Sequence, residues 1–327
     1  MANYPNRDGR LGNGVGLDTP AATICVLKAM LSEGYQVKDV PVNGAELIKR
    51  IKAGPTNDFK NLASRQINEV FKLSDYKVFF DQLPKQIQID VLKRWGLPND
   101  DPFCFVDKFG REVFAISAYR LGNIIIGLQP ARGYNIDPKE TYHSPDLVPP
   151  HNYFAFYAWL RFKIEVHAVV HMGKHGNLEW LPGKAVALSR QCYPEIVLGP
   201  TPNLYPFIVN DPGEGTQAKR RASAVIIDHL MPPLTRAENY GPLRDLEYLV
   251  DEYFDASRID PRRISILREE ILSLCEVTGL GKDCGIVNGE DDDKALEKLD
   301  NYLCELKEMQ IRDGLHIFGK APDGNVL

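Results

Sequence analysis

The 327-residue sequence lacks several features that define common protein classes. Its six cysteines stand singly at 25, 104, 192, 275, 284 and 304, without a CxxC pair or disulfide-like spacing. That excludes a disulfide scaffold and reads as reduced thiols in a cytoplasmic protein. No stretch approaches the roughly 20 apolar residues of a membrane-spanning helix, so no membrane span is expected. The N-terminal Met-Ala-Asn-Tyr-Pro-Asn-Arg has no apolar core of the kind a signal peptide needs. The formal charge is −5 and no long basic run occurs, so nothing points to nucleic acid. A GxxxxGK[ST] loop is missing, so this chain is not expected to hydrolyse ATP. A GxSxG elbow is missing as well, and Gly12-Asn-Gly-Val-Gly16 has glycine density without the GxGxxG spacing.

What is present is ordinary in bulk and unusual in its loops. Apolar residues make up 44% and charged residues 25%, as in a globular protein, and the length suffices for two or three domains. The expected class is α/β: a largely parallel sheet flanked by helices, followed by a helical C-terminal segment. Residues 1–100 form an α/β segment that lacks its first strand, because the polar loop Asn3 to Pro20 has no strand before it. Residues 101–240 form an α/β domain with the main polar loops, and 241–327 are mainly helical.

Helices are expected from Thr19-Pro20 to about Glu33, from Asn43 to Ile51, across Tyr76 to Trp95 with an interruption at Pro84, and over the aromatic run His151 to Phe162. Further helices are expected over Thr216 to Leu230, Arg244 to Phe254, Pro261 to Thr278 and Asp292 to Arg312. The acidic run Glu290 to Asp293 suits the start of that last helix. Strands are expected at Phe103 to Val106, Glu112 to Tyr119, Asn123 to Leu128, Val166 to Val170 and Tyr205 to Val209. Arg120-Leu-Gly-Asn123 reads as a hairpin turn. Asn123 to Leu128, apolar on both faces, reads as a central strand.

The segment His171-Met-Gly-Lys-His-Gly-Asn-Leu-Glu-Trp-Leu-Pro-Gly-Lys184 carries the densest chemistry. It spaces His171, His175 and Glu179 by four residues in a loop broken by Gly173 and Gly176. Those glycines rule against the unbroken helix that a zinc-protease HExxH requires. Imidazole and carboxylate suit divalent transition metals and also accept protons. His167, inside the apolar run, reads as a hydrogen-bonded core residue. Three more polar loops, Asn6 to Arg10, Gln129 to Asp137 and Asn210 to Glu214, converge with it on one sheet edge if the strands are parallel. The resulting site holds Arg7, Arg10, Arg132 and Lys184 as cations and predicts an anionic, bulky ligand handled with a metal. The competing reading makes each arginine a structural partner in a surface loop and Pro182-Gly183-Lys184 a plain turn.

Four segments carry a resemblance: Ala2 to Arg10, Gln129-Pro-Ala-Arg-Gly-Tyr-Asn-Ile-Asp-Pro138, His171 to Lys184, and Gln310-Ile-Arg-Asp-Gly-Leu-His-Ile-Phe-Gly319. They resemble the family of aerobic cobaltochelatase large subunits (CobN), which also holds the large porphyrin-binding subunits of magnesium chelatase. The wording of Glu-Trp-Leu-Pro-Gly-Lys and of Gln129 to Pro138 is similar to the cobalt branch. The family's large subunits are much longer, so the resemblance implies an internal fragment. It also implies insertion of Co²⁺, as substrate metal, into hydrogenobyrinic acid a,c-diamide, a corrin precursor of cobalamin. ATP would be hydrolysed by partner AAA+ ATPase subunits. On that resemblance Glu179 and His175 are the catalytic candidates, and His171, His175 and Glu179 the metal relay. Arg7, Arg10, Arg132 and Lys184 are the candidate contacts to the tetrapyrrole. Three alternatives remain open: a magnesium-chelatase H-type subunit binding a porphyrin, a non-catalytic scaffold docking the ATPase subunits, and a stand-alone metallohydrolase. The last finds no compact ligand set in the sequence.

Overall fold

The computed structural model describes residues 1, 11–12, 14, 16–60, 62–133, 146–173, 176–208, 212–229, 242–256, 261–278 and 315–321, with isolated positions at 280, 286, 295 and 299. The chain divides into two compact units, Met1–Met231 with His316–Leu327, and Pro232–Leu315.

Local signals set most of the helices of the first unit. Helix α1, Thr19–Ser32, opens with Pro20 in its first turn and with Asp18 as the cap, whose Oδ1 accepts from the Ala21 N–H at 2.9 Å. Helix α2, Gly44–Ala53, opens on Asn43, whose Oδ1 accepts from the Glu46 N–H at 2.9 Å. Glu46 reaches back to accept from the Val42 N–H at 2.6 Å, so two N–H groups that a helix start leaves free are satisfied. Pro84 divides the next run into α3, Leu73–Asp81, and α4, Lys85–Trp95. Gln88 Nε2 donates to the carbonyls of Asp81 and Leu83 at 3.1 and 2.7 Å, closing the corner between them.

The aromatic run forms α5, His151–Ala158, in which every residue is buried. A helix apolar all round belongs inside a core. A π-turn over Trp159–Ile164 continues it, and Glu165 ends it in the left-handed region at φ 57°. Around α5 lies the largest core, with Tyr76, Phe79 and Phe80 of α3, Tyr153, Phe154 and Trp159 of the aromatic run, and Phe114 beneath them.

His151 sits in this core with no exposed surface. Its Nε2 is 3.1 Å from the Gly96 carbonyl, and its Nδ1 is 2.7 Å from the Tyr76 hydroxyl. A carbonyl only accepts, so Nε2 carries the proton and Nδ1 accepts from Tyr76. Burial lowers this imidazole from 6.5 to about 4. Because the folded value lies below the unfolded one, its contribution to stability is intact above pH 6.5 and is lost as the pH falls toward 4. A shift of that size corresponds to about 3 kcal/mol. Urea unfolding at pH 7 and pH 4.5 should therefore show a larger loss of midpoint in the native chain than in His151→Gln. Equal losses would mean that His151 is not the group that resists protonation.

The strands confirm the α/β class and redistribute its pairing. Strand β1, Val70–Lys72, and β2, Cys104–Val106, flank β3, Glu112–Ala115, and both pair with it antiparallel. Strand β4, Ala118–Leu121, and β5, Ile124–Gly127, make a separate antiparallel hairpin turning at Gly122-Asn123. The expected central strand over Asn123 to Leu128 is thus one arm of a hairpin, with Ile124 and Ile126 in a core shared with Leu27 of α1 and Leu47 of α2, and Ile125 against the largest core. Among the described strands, parallel pairing joins β6, Val169–Val170, β7, Asn203–Ile208, and β8, Ala224–His229, in that order.

Two helices join these parallel strands: α6, Tyr193–Leu198, and α7, Pro212–Arg221. The helix expected to run to Leu230 stops at Arg221, and Ala-Val-Ile-Ile-Asp-His becomes β8. Its β-branched residues gain a full ladder with β7, which the helical alternative cannot supply. His167, expected in the core, is exposed, because β6 begins only at Val169.

In the second unit α8, Pro242–Ala256, and α9, Pro261–Thr278, pack through Leu246, Val250, Tyr253, Leu267, Ile271 and Cys275. Ala295 and Leu299 are buried. The rest of the helix expected over Asp292 to Arg312, and the acidic run before it, lie outside the described residues.

Candidate functional site

The site grows from the carboxyl end of β6. The His171 N–H extends the parallel ladder by donating to the Leu204 carbonyl at 2.7 Å. Its ring stands edge-on to Tyr205 of β7, with centroids 4.4 Å apart. Gly173 turns the chain at φ 113°. Gly176 lies against the imidazole so closely that a Cβ there would come within 2.6 Å of the ring, so a side chain would displace it. A 3-10 turn over Leu178–Trp180 follows and directs Glu179 inward, leaving it 2% exposed.

A chain of hydrogen bonds fixes this turn. The Tyr205 hydroxyl accepts from the Gly176 N–H at 2.6 Å and donates to Glu179 Oε1 at 3.3 Å. Asn177 has three partners outside its own turn: its N–H donates to Gln129 Oε1 at 3.0 Å, its Nδ2 to the Pro130 carbonyl at 3.1 Å, and its Oδ1 accepts from the Tyr153 hydroxyl at 2.6 Å. Gln129 Nε2 donates to the Tyr157 hydroxyl at 2.9 Å, and Asn57 Nδ2 to the Gln129 carbonyl at 3.1 Å. The two loops that sequence reasoning placed together, Gln129 onward and His171 onward, are therefore joined side chain to backbone.

Charge is concentrated in the same place. Arg132 is 1% exposed, and its Nη2 donates to the Leu147 carbonyl at 3.4 Å. Burial lowers this guanidinium to about 10, while Tyr153 and Glu179 favour its charged form and Arg221 opposes it. Arg221, at the end of α7, is also buried and lies within the field of Glu179. Burial, reinforced by the Glu179 charge, pushes the Tyr205 hydroxyl well above its usual range, so it remains a proton donor to the carboxylate. One buried carboxylate thus lies under one phenol and within the field of two buried guanidiniums. The arrangement can accept a proton at Glu179 and attract an anionic group to its surroundings.

Of the residues singled out from sequence, Glu179, His171 and Arg132 come together, the first two through Tyr205 and the third through its charge. Lys184 does not join them. Its side chain is exposed, and only its backbone takes part, with the N–H donating to Cys192 Sγ at 3.3 Å and the carbonyl accepting from Arg221 Nε at 3.0 Å. Arg7, Arg10 and His175 lie outside the described residues. Among the described residues no group of three His, Cys, Asp or Glu is placed to hold a metal ion, and the third member of the expected relay, His175, is outside that set.

Sequence reasoning missed Tyr205, Tyr153, Asn177, Gln129 and Arg221 as parts of the site. Gln129 and Asn177 stand within the segments that carried the resemblance, and their position there was the available signal. Tyr205 and Tyr153 stood only as members of an expected strand and of the expected aromatic helix. Residues His316 to Gly319 of the last such segment are also described. The His316 N–H donates to the Gly16 carbonyl at 3.1 Å, and its ring lies near-parallel to that of His229 at the end of β8, centroids 4.8 Å apart.

The sequence matches the profile of the CobN/Magnesium Chelatase family over residues 1–327. It is 66% identical to the aerobic cobaltochelatase subunit CobN of a Sinorhizobium species over the whole chain, which covers 25% of that protein. Identity to the subunit of the same name from Pseudomonas aeruginosa is 56%, again over the whole chain and 26% of the relative. The H-type magnesium-chelatase subunit of Chlorobaculum parvum is 31% identical over 97% of the chain and 24% of the relative. Among solved structures, the catalytic subunit of cobaltochelatase from Mycobacterium tuberculosis superposes with a TM-score of 0.63 at 40% identity, over 96% of this chain and 27% of that one. The chain spans about a quarter of the length of these relatives. With a match along its full length and a shared fold, the chain belongs to the CobN/magnesium chelatase family.

Proposed function

We propose that this chain forms part of the tetrapyrrole-binding large subunit of an ATP-dependent cobaltochelatase in the cytoplasm. That enzyme, a ligase forming nitrogen–metal bonds, inserts Co²⁺ into hydrogenobyrinic acid a,c-diamide on the way to cobalamin. The observation that carries the reading is the buried Glu179 carboxylate, held under the Tyr205 hydroxyl and within the field of the Arg132 and Arg221 guanidiniums.

Insertion asks three things of a protein. Ring nitrogens must lose their protons as the metal enters, the ion must be passed on rather than kept, and the carboxylate-bearing macrocycle must be held meanwhile. Glu179 is the base that takes ring protons. His171, with Glu179 and His175, makes a weak and incomplete ligand set suited to relaying Co²⁺. Arg132, together with Arg7 and Arg10, supplies the cations for ring carboxylates. The identities of 66% and 56% to cobalt-branch subunits, against 31% to a magnesium-branch one, favour cobalt and a corrin over magnesium and a porphyrin. ATP is hydrolysed by separate AAA+ subunits, in keeping with a sequence that has no P-loop.

A second reading, a module that docks those ATPase subunits, is favoured by Tyr248, Ile266 and Val277. These large apolar side chains stand 67%, 57% and 82% exposed on α8 and α9.

Titrating the isolated chain with hydrogenobyrinic acid a,c-diamide, and following the ring's absorbance, separates the two. Saturable binding that weakens in Arg132→Ala is expected. A folded chain that binds neither this ring nor a porphyrin would sink the pocket reading and leave the docking one. Tighter binding of a porphyrin would instead move the chain to the magnesium branch.

A further inference from the structure

α7 ends in three consecutive cations, Lys219, Arg220 and Arg221. The first two are exposed, as charges at a helix C-terminus usually are. Arg221 turns inward, 8% exposed, and its guanidinium grips a single segment of chain. Nη1 donates to the Glu179 carbonyl at 2.7 Å, Nη2 to the Leu181 carbonyl at 2.6 Å and Nε to the Lys184 carbonyl at 3.0 Å. All three are short, and none goes to a carboxylate. Burying a guanidinium whose direct bonds go to neutral carbonyls costs several kcal/mol, and packing alone would be served by an apolar residue. What the guanidinium supplies is its planar fork, which spans the Glu179 carbonyl of the 3-10 turn and the Leu181 and Lys184 carbonyls of the segment that follows it.

Both ends of this clamp are fixed. The Asn203 side-chain amide of β7 donates to the Ala222 carbonyl at 3.2 Å, tying the end of α7 to the sheet. On the far side Cys192 Sγ accepts from the N–H groups of Lys184 and Ser189, both at 3.3 Å. Gly183, at φ 135°, passes so close to Cys192 that a Cβ would meet its Cα at 2.9 Å. The turn carrying Glu179 is thus held between the parallel sheet and α6, with Arg221 as the only side chain among the described residues that bonds the Glu179, Leu181 and Lys184 carbonyls together.

We propose that Arg221 is a positioning residue for metal insertion: it holds the Glu179 carboxylate against the Tyr205 hydroxyl and places a fixed positive charge beside it. The inference rests on the reading of Glu179 as the base. Lysine keeps the charge but offers one ammonium on a flexible stem, which cannot bond three divergent carbonyls.

The test is a double-mutant comparison in the complete large subunit with its ATPase partners, following Co²⁺ insertion into hydrogenobyrinic acid a,c-diamide. Arg221→Lys should lower kcat ten- to a hundred-fold while KM for the ring changes less than threefold. In a Glu179→Gln background, Arg221→Lys should lower the remaining rate by no more than twofold, because groups acting through one another are not additive. An unchanged kcat in Arg221→Lys, or the same loss in both backgrounds, overturns the proposal, the latter because it marks a general structural effect. Should Arg221→Lys not fold, methylguanidinium added to Arg221→Ala should restore turnover, and it should not restore Arg221→Leu, whose side chain fills the space. Failure of that rescue also overturns it. Full activity in Glu179→Gln alone would sink the reading of the site itself. Low activity in Glu179→Gln with normal Arg221→Lys sinks only the present inference.

Discussion

Glu179→Gln in the full-length subunit is expected to slow cobalt insertion by about 10²- to 10⁴-fold, the usual contribution of a positioned base. Glutamine keeps the shape and can still accept the hydrogen bond that Tyr205 donates at 3.3 Å, so the turn should remain in place. It cannot accept a ring proton. Affinity for the tetrapyrrole should therefore stay within a few-fold, and the loss should appear in kcat. Single-turnover insertion measured beside equilibrium ring binding separates the two. A variant that binds the ring normally and inserts cobalt at the native rate would show that the base lies elsewhere.

Arg132→Met should be the most damaging single change for stability in the site. Methionine fills comparable space without the charge, in a place where the native side chain is 1% exposed. The guanidinium and Glu179 stabilise each other's charged forms across the buried cluster. Removing the guanidinium leaves the buried Leu147 carbonyl without this donor, which costs about 1–3 kcal/mol, and withdraws a favourable charge from Glu179. Loss of a neighbouring cation also disfavours the carboxylate, so Glu179 should ionise at higher pH and the acid limb of the insertion profile should move upward. Urea unfolding of the isolated chain checks the first effect, and the pH dependence of insertion checks the second. A midpoint equal to that of the native chain, with an unmoved acid limb, would show that Arg132 serves neither the turn nor the base.

Both expectations depend on residues whose importance was legible in different degrees. Glu179 and His171 announced themselves, because imidazole and carboxylate at fixed spacing around two glycines are a chemical pattern that survives without a fold. Arg132 was visible for the same reason, inside a loop of glycine and proline. Arg221 was not. A run of Lys-Arg-Arg at a helix end is what the helix dipole favours on any surface, and only the approach of α7 to the Glu179 turn selects the third cation and buries it. Lys184 shows the converse. It lies inside the best motif, yet the turn that directs Glu179 inward leaves Lys184 outside.

The same division runs through the fold. By itself the sequence determined the elements whose signals are local: α1 and α2, opened by Asp18 with Pro20 and by Asn43, the break at Pro84, the wholly buried α5, and α8 and α9 with their apolar stripes. Caps, prolines and the 3.6-residue period act within a few residues, so they can be read from a few residues. Only the tertiary structure decided which strands pair. Ala224 to His229 read as the tail of a helix and is a parallel strand, and Asn123 to Leu128 read as a central strand and is a hairpin arm. It also decided which polar groups meet Glu179: Tyr205 from β7 and Arg221 from α7, residues 26 and 42 positions away in the chain. Strand pairing and buried polar networks draw their energy from groups distant in sequence, and no local pattern records which distant group will arrive.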